Sequence, residues 1–278
     1  MKTIYDELSI KISKQTTQKY STSFSLGIKL LDSEIRNSIY GIYGFVRLAD
    51  EIVDSFHGFP QKEMLEKLKV DVYHSIENKI STNPILHAFQ LVVNSYKIPT
   101  ELIEQFLISM EMDLDPLDYD KETYDRYILG SAEVVGLMCL IVFLQGDQEK
   151  YAQLKPFAMK LGSAFQKVNF LRDLKDDYST LGRTYFPEID IANFNNTVKS
   201  EIEKDIEIDF NLGFEGIKLL PTKTRLGVYI AFIFYKGLFK KIKKLEAEDL
   251  LQGRVRIPNA IKFGLIFKGY VQHSFNRL

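Results

Sequence analysis

An all-α fold in one domain is what this 278-residue chain predicts, on three observations. Apolar residues recur at helical spacing along almost its whole length. Segments with the period of two that marks strands are scarce. Sixteen glycines and eight prolines leave little punctuation for an all-β chain. No repeat, linker or shift in composition divides the chain, so residues 1–278 read as one domain, long enough to bury a large core.

The elements follow in order. Ile4–Lys19 reads as a first helix, interrupted after it by the polar Ser21-Thr22-Ser23. Asp32 or Ser33 can cap a long helix through Asp54, with Ile35, Ile39, Ile42, Val46, Ala49 and Val53 as its apolar stripe. His57-Gly58-Phe59-Pro60 stops it. Shorter helices are predicted at Gln61–Asn78, Pro84–Tyr96 and Thr100–Asp113, and Asp115-Pro116 closes this half. Single helices are predicted over Glu122–Leu144 and over Lys150–Tyr178. Ser179–Asn196, with Gly182, Pro187 and several asparagines, reads as a loop. Helices at Thr197–Leu219, Thr222–Leu245 and Pro258–Phe275 finish the chain.

Composition excludes several classes. A formal net charge of −1 gives no electrostatic case for nucleic acid. The single cysteine, Cys139, lies in the apolar run Val134–Leu144 and reads as a small buried hydrophobe. One cysteine cannot form an intrachain disulfide and suits a reducing compartment. Met1–Glu7 lacks the apolar core of a secretory leader, so a cytoplasmic protein is expected. No run approaches the roughly 18 consecutive apolar residues of a spanning helix. Leu226–Phe239 comes nearest and contains Tyr229, Tyr235 and Lys236.

Two short stretches carry the chemistry. Asp50 and Asp54, and again Asp173 and Asp177, stand four apart in helical sequence. On a helix that spacing stacks two carboxylates on one face with Cβ atoms roughly 5–6 Å apart, which is unfavourable without a cation. Arg47 precedes Asp50 by three residues and can bind a phosphate oxygen or a carboxylate. Alone, this first cluster also fits a solvated acidic strip. The second is more specific. Gln166, Asn169, Asp173 and Asp177 share one face at spacings of three and four, among Ala164, Phe165, Val168, Leu171 and Leu174. A polar stripe in such apolar surroundings needs partners. Mg²⁺ takes one or two carboxylates and completes its shell with water and phosphate oxygens. Two pairs across a cavity would therefore hold several Mg²⁺ ions and an anionic substrate. Asp176 lies off the stripe and is expected at solvent or beside a basic neighbour. Arg183, Tyr185 and Pro187 follow on a loop that could close over the same end, with Arg183 as a diphosphate clamp or an ordinary surface arginine. No P-loop, dinucleotide fingerprint, H-E-x-x-H or nucleophile elbow is present, and His57, His74, His87 and His273 lack metal-ligand spacing.

In this setting the chain resembles the squalene/phytoene synthase family, and its bacterial phytoene-forming members most. The residues that carry the resemblance are Tyr20–Phe24 (YSTSF), Tyr40–Asp54 (YGIYGFVRLADEIVD), Ser131–Met138 (SAEVVGLM), Leu161–Asp177 (LGSAFQKVNFLRDLKDD) and Gly182–Pro187 (GRTYFP). The resemblance implies a single bundle of helices around a deep cavity. It implies Asp50, Asp54, Asp173 and Asp177 as metal-binding residues, with Asn169 and Gln166 beside the second pair. It implies Arg47, Arg172 and Arg183 near the diphosphates, Ser21, Ser23 and Phe24 at the substrate, and Tyr229 lining the far part of the cavity. The chain departs from the family pattern at three places. Glu51 stands where many members have aspartate, Leu129 and Gly130 where relatives often have tyrosine, and Glu133 where glycine is frequent. The catalytic tyrosine is left between Tyr127 and Tyr43.

The implied reaction is the head-to-head condensation of two geranylgeranyl diphosphates to phytoene, through a cyclopropyl diphosphate, with Mg²⁺ (or Mn²⁺) and without NAD(P)H. A tyrosine hydroxyl or the released diphosphate takes the final proton. The nearest rival is a squalene or dehydrosqualene synthase working on farnesyl diphosphate with the same site. A cyclising terpene synthase and a non-catalytic helical assembly factor are further alternatives, disfavoured by the S-x-S-F segment and by the four intact aspartates. Lipidic substrates suggest transient contact with the inner membrane face, for which Lys236, Lys240, Lys241, Lys243 and Lys244 form a basic run, or else a solvated helix face.

Overall fold

The computed structural model describes residues 2–115, 120–181, 185–187, 193–258, 264–266 and 269–272, excluding the side chains of 177–181. All regular structure among them is helical. The elements are α1 (Lys2–Tyr20), α2 (Thr22–Lys29), α3 (Ser33–Ser55), α4 (Gln61–Asn78), α5 (Pro84–Tyr96), α6 (Thr100–Met112), α7 (Lys121–Ile128), a π-helical turn (Leu129–Glu133), α8 (Val134–Phe143), α9 (Gln148–Leu181), α10 (Asn196–Leu219), α11 (Thr222–Ile242) and α12 (Ala247–Leu250).

Local chemistry explains most boundaries. Asp32 caps α3 by accepting from Glu34 N, and Asn83 caps α5 ahead of Pro84. The polar break after α1 is shorter than predicted, because Ser21 itself caps a further helix, α2, by accepting from Phe24 N at 3.2 Å. Of the helix predicted over Pro258–Phe275, Pro258 and residues 264–266 and 269–272 lie among those described; Pro258 is not helical and the others are.

The helix predicted over Glu122–Leu144 is broken by the π turn at Leu129–Glu133. Gly130 lies buried against α6, where a Cβ would stand 2.5 Å from the Gln105 carbonyl oxygen and 2.6 Å from Ser109 Cβ. Only glycine fits there, so no tyrosine can occupy position 130 without displacing α6. Such π-helical turns are frequent at functional sites. Lys121–Phe143 is long and apolar enough on average to span a bilayer, although Lys121, Glu122, Asp125, Arg126 and Glu133 interrupt it, so it holds no run of 18 consecutive apolar residues. Half of that window is buried in the bundle, as in a core helix of a folded protein.

Two apolar cores flank a central cavity. One joins α3, α4, α5, α6 and α8 through residues such as Ile35, Phe45, Phe89 and Phe106, with Phe45 and Phe89 stacked at 4.1 Å. Burying each such side chain contributes about 1.5–3 kcal/mol relative to exposure. The other joins α9, α10 and α11 around Phe210, Ile217 and Phe239. The polar stripe of α9 is held from behind by charge. Lys160 (3.0 Å), Lys167 (2.7 Å) and the Ser163 hydroxyl (2.7 Å) all converge on Asp209 of α10, which is 1% exposed. Within the basic run on α11, Lys236 and Lys243 pair with Glu207, and Lys241 donates to the Arg256 carbonyl.

Candidate active site

α3 and α9 run in the same sense along one cavity of about 650 Å³, and each changes from apolar to polar toward the same mouth. On α3 the lining runs Ile39, Ile42, Tyr43, Val46, Arg47, Asp50, Asp54. On α9 it runs Leu154, Phe157, Leu161, Phe165, Gln166, Asn169, Asp173. Helical spacing keeps each series on one face. Both C-terminal ends therefore meet at the mouth, and Asp54 lies in the last turn of α3. The negative end of the α3 dipole adds to the Asp54 carboxylate there, whereas α9 continues to Leu181 beyond Asp173.

Below the mouth, Phe24, Tyr43, Phe165 and Tyr235 form an aromatic collar. Phe165 stacks on Tyr235 at 4.1 Å, and Phe24 stands 5.7 Å from both Tyr43 and Tyr235. Beneath it the walls are apolar, with Ile28, Leu31, Leu140, Phe143, Leu220 and Val228. Cys139 belongs to this wall, and burial pushes its thiol up to about 12.

The first aspartates on the two sides of the mouth have different partners. The Asp50 carboxyl is pushed up to about 8, first by burial and then by the charge of Asp54, against the pull of Arg47. Its side chain is still 30% accessible, so it is enclosed by the cavity yet reachable from it. Arg47 stands 3.8 Å from Asp50, pairs closely with Glu51 and lies 4.4 Å from the Tyr20 ring. Glu51 is thus an arginine holder outside the cavity wall. Burial would raise its carboxyl, and Arg47 outweighs that and holds it below the usual range. Tyr43 is raised to about 12, by burial and then by Tyr235 and Asp50, and stays a protonated phenol. Across the mouth, Asp173 accepts from Arg172 Nε at 2.9 Å and from Arg254 Nε at 2.8 Å. Asn169 donates to Gln166 at 3.1 Å and accepts from the Tyr235 hydroxyl at 3.3 Å.

The structure thus brings Asp50, Asp54, Asp173, Gln166, Asn169, Arg47, Arg172, Tyr43, Ser21 and Phe24 to one cavity. Asp177 lies on α9 with its side chain outside the described residues, and Arg183 lies outside them altogether. Ser23 is half-buried and is not part of the described wall. The placement expected for Tyr229 is corrected. It packs on Phe214 and Phe232 and donates to Gln272 at 2.9 Å, away from the described wall. Tyr235, nearly two turns further along α11, occupies the cavity instead. Asp176 lines the mouth while remaining exposed.

Three residues escaped the sequence reading. Arg254 follows α12 in an irregular segment with no periodic marker. Tyr235 was read only as part of an apolar helix. Asp113 ends α6 and lines the cavity. It accepts from the Tyr127 hydroxyl at 2.9 and 3.1 Å and from the Tyr185 hydroxyl at 3.1 Å.

No three His, Cys, Asp or Glu side chains among the described residues form a preformed metal cage. The α3 pair nevertheless fits a hard divalent cation. It offers carboxylate oxygens, with Asp50 raised by burial and by Asp54 against the pull of Arg47, and leaves coordination positions for water and an anionic ligand.

Comparison with known proteins gives a consistent picture. The family model for squalene/phytoene synthase matches residues 17–260. A 4,4'-diapophytoene synthase of Staphylococcus haemolyticus is 24% identical over 84% of this chain and 86% of its own. A phytoene synthase of Arthrospira platensis is 26% identical over 90% of this chain and 88% of its own. Among solved structures, a dehydrosqualene synthase in complex with a ligand matches with a TM-score of 0.80 at 22% identity, over 96% of each chain.

Proposed function

This chain belongs to the squalene/phytoene synthase family of prenyltransferases, and we propose that it condenses two geranylgeranyl diphosphates head to head to phytoene. The observation that carries this reading is the cavity itself: two aspartate-bearing helices share one polar mouth above one long apolar pocket. A prenyl diphosphate has the same division, an anionic head on a hydrocarbon tail.

In this reading Asp50, Asp54, Asp173, Asp177 and Asn169 hold Mg²⁺. When bound, the metal would neutralise the charge that builds on the departing diphosphate. Arg47, Arg172, Arg183 and Arg254 give charge-assisted hydrogen bonds to the same oxygens. Ser21 and Gln166 orient the head groups at the rim. Phe24, Tyr43, Phe165 and Tyr235 surround the first carbons of the tail, where their ring faces favour an allylic cation over its neutral precursor. The apolar walls below exclude water, which would otherwise quench that cation. Coupling, rearrangement and proton loss need no reductant, so no NAD(P)H is used.

The test is incubation of purified protein with Mg²⁺ and either geranylgeranyl or farnesyl diphosphate, without reductant, followed by analysis of the hydrocarbon extract. A C40 hydrocarbon from the C20 substrate is the expected result. A C30 hydrocarbon from the C15 substrate alone assigns the farnesyl-dependent reaction to the same site, the reading favoured by the likeness to a diapophytoene synthase. No hydrocarbon from either, with the protein folded, overturns both.

A further inference from the structure

The cavity closes at its far end, away from the aspartates, and a second pocket of about 260 Å³ lies behind the closure. Neighbouring residues divide between the two. Leu31 lines the cavity and Asp32 the second pocket, and Leu220 and Pro221 divide in the same way. Ile39 lines the cavity, and Ile35, one turn lower on the same face of α3, lines the second pocket. Among the described residues Phe143, the last of α8, is the one that lines both. Its position is set by what surrounds it. The chain turns sharply beyond it, with Gln145 and Gly146 at φ of 51° and 85° and Gly146 N donating to the Ile141 carbonyl at 3.3 Å. Its ring packs against the apolar cluster of Leu137, Leu140, Leu144, Leu154 and Leu220. Leu31 is held where α2 meets α11, since a Cβ on Gly227 would stand 2.5 Å from its Cδ2 atom.

We propose that Phe143 is the floor that sets how long a prenyl tail this chain accepts. The inference rests on the reading of the cavity as a prenyl diphosphate site given above. From Arg47, at the diphosphate end, to Ile35, α3 descends about 18 Å. The fifteen bonds along a geranylgeranyl chain extend to about 18 Å, and each isoprene unit accounts for about 5 Å of that. A C20 tail therefore ends against Phe143, and a C15 tail stops a unit above it. A C25 tail has to pass the ring and enter the second pocket. That pocket offers Ile35, Leu144 and Pro221 as apolar wall. Two of its polar residues are already engaged with backbone: Asp32 accepts from Glu34 N at 3.0 Å, and the Thr224 hydroxyl donates to the Pro221 carbonyl at 2.9 Å. Removing the Phe143 ring joins the two spaces into one longer channel.

The experiment measures, by calorimetry with Mg²⁺, the affinity of the parent and of Phe143→Ala for thiolodiphosphate analogues with C15, C20 and C25 tails. Sulfur in place of the bridging oxygen keeps the tail attached, so binding is read apart from turnover. The parent is expected to bind the C25 analogue at least tenfold more weakly than the C20 analogue, the scale on which an apolar pocket rejects even one extra methylene group. Phe143→Ala should abolish that difference and hold its C15 affinity within a few-fold of the parent. A general loosening of the fold would instead weaken all three lengths together. Should Phe143→Ala fail to fold by circular dichroism, Phe143→Leu carries the same comparison at smaller size. A parent that binds C20 and C25 equally, or variants that keep the parent's ratio, overturn the floor. A parent that binds the analogues by length and forms no hydrocarbon from any diphosphate sinks the coupling reading alone. A parent that binds none of the three overturns both.

Discussion

The two sides of the cavity mouth carry the same spacing, and their first aspartates have different partners. On α3, Asp50 has one arginine at 3.8 Å, shared with Glu51, and its carboxyl sits near 8. On α9, Asp173 is held by two arginines, Arg172 and Arg254. Spacing along a helix decides which way a carboxylate faces. Its charge state depends on residues brought from elsewhere in the chain. Asp50, raised by burial and by Asp54 against one arginine, is expected to recruit a cation. The α9 side already holds two guanidinium groups and is expected to hand them from carboxylate to diphosphate when substrate arrives.

The hardest test of this asymmetry is to neutralise each side in turn. Asp50→Asn is expected to lower product formation by about 10²–10³-fold, with no recovery at high Mg²⁺, because the missing ligand belongs to the cation site. Arg254→Ala should act differently, raising KM for the prenyl diphosphate about 10–100-fold, as fits the loss of one hydrogen bond to a charged group. Its kcat should change less. Steady-state kinetics across Mg²⁺ and substrate concentrations separate the two, and identical profiles for both variants would break the proposed division of labour.

A gentler test reads the surroundings of Asp50 from stability. In the metal-free protein burial and the charge of Asp54 push the Asp50 carboxyl up to about 8, against an ordinary carboxylate value of 3.8. The folded state therefore binds more protons than the unfolded state between about pH 4 and 8. The stabilisation from the protonated carboxyl is full below pH 4 and is lost as pH rises through 8. Asp50→Asn removes that loss. Its melting temperature should match the parent near pH 4 and exceed it by roughly 10 °C or more near pH 8.5, for a rise from 3.8 to about 8 at about 2–4 °C per kcal/mol. A constant offset across pH would show that Asp50 ionises freely.

How far the site could be read beforehand follows the same division. The long helices were legible because their apolar stripes and caps are local, as Asp32 and Asn83 show. The polar stripe of α9 was legible because Gln166, Asn169 and Asp173 keep helical register. The π turn was hidden, because its cause is the approach of α6 to Gly130, a contact between distant segments. Arg254 and Asp113 were hidden for a related reason. Each enters the cavity from the end of an element, where no period marks it. Tyr229 was misplaced because both it and Tyr235 sit on the strongly apolar α11, whose buried faces are too broad for pattern alone to single out the cavity side.

That misplacement yields the smallest and most discriminating expected effect. The Tyr235 hydroxyl donates to Asn169, inside the α9 stripe, whereas the Tyr229 hydroxyl donates to Gln272 outside the cavity wall. Removing the Tyr229 hydroxyl deletes one neutral hydrogen bond, worth about 0.5–1.5 kcal/mol, and removing that of Tyr235 also loses its contact with Arg172. Tyr235→Phe spends that loss at the site, because Asn169 is left to Gln166 alone and its amide can turn away from the mouth. A drop of about two- to tenfold in kcat/KM is expected. Tyr229→Phe should leave kcat/KM unchanged and lower the melting temperature slightly. The pair also bears on the two-sided mouth. If α9 acts on the diphosphate as an ordered polar surface, loosening Asn169 should raise KM in the manner of Arg254→Ala, at smaller size. A fall confined to kcat would instead place Tyr235 with the collar beneath, acting on the cation and not on its leaving group.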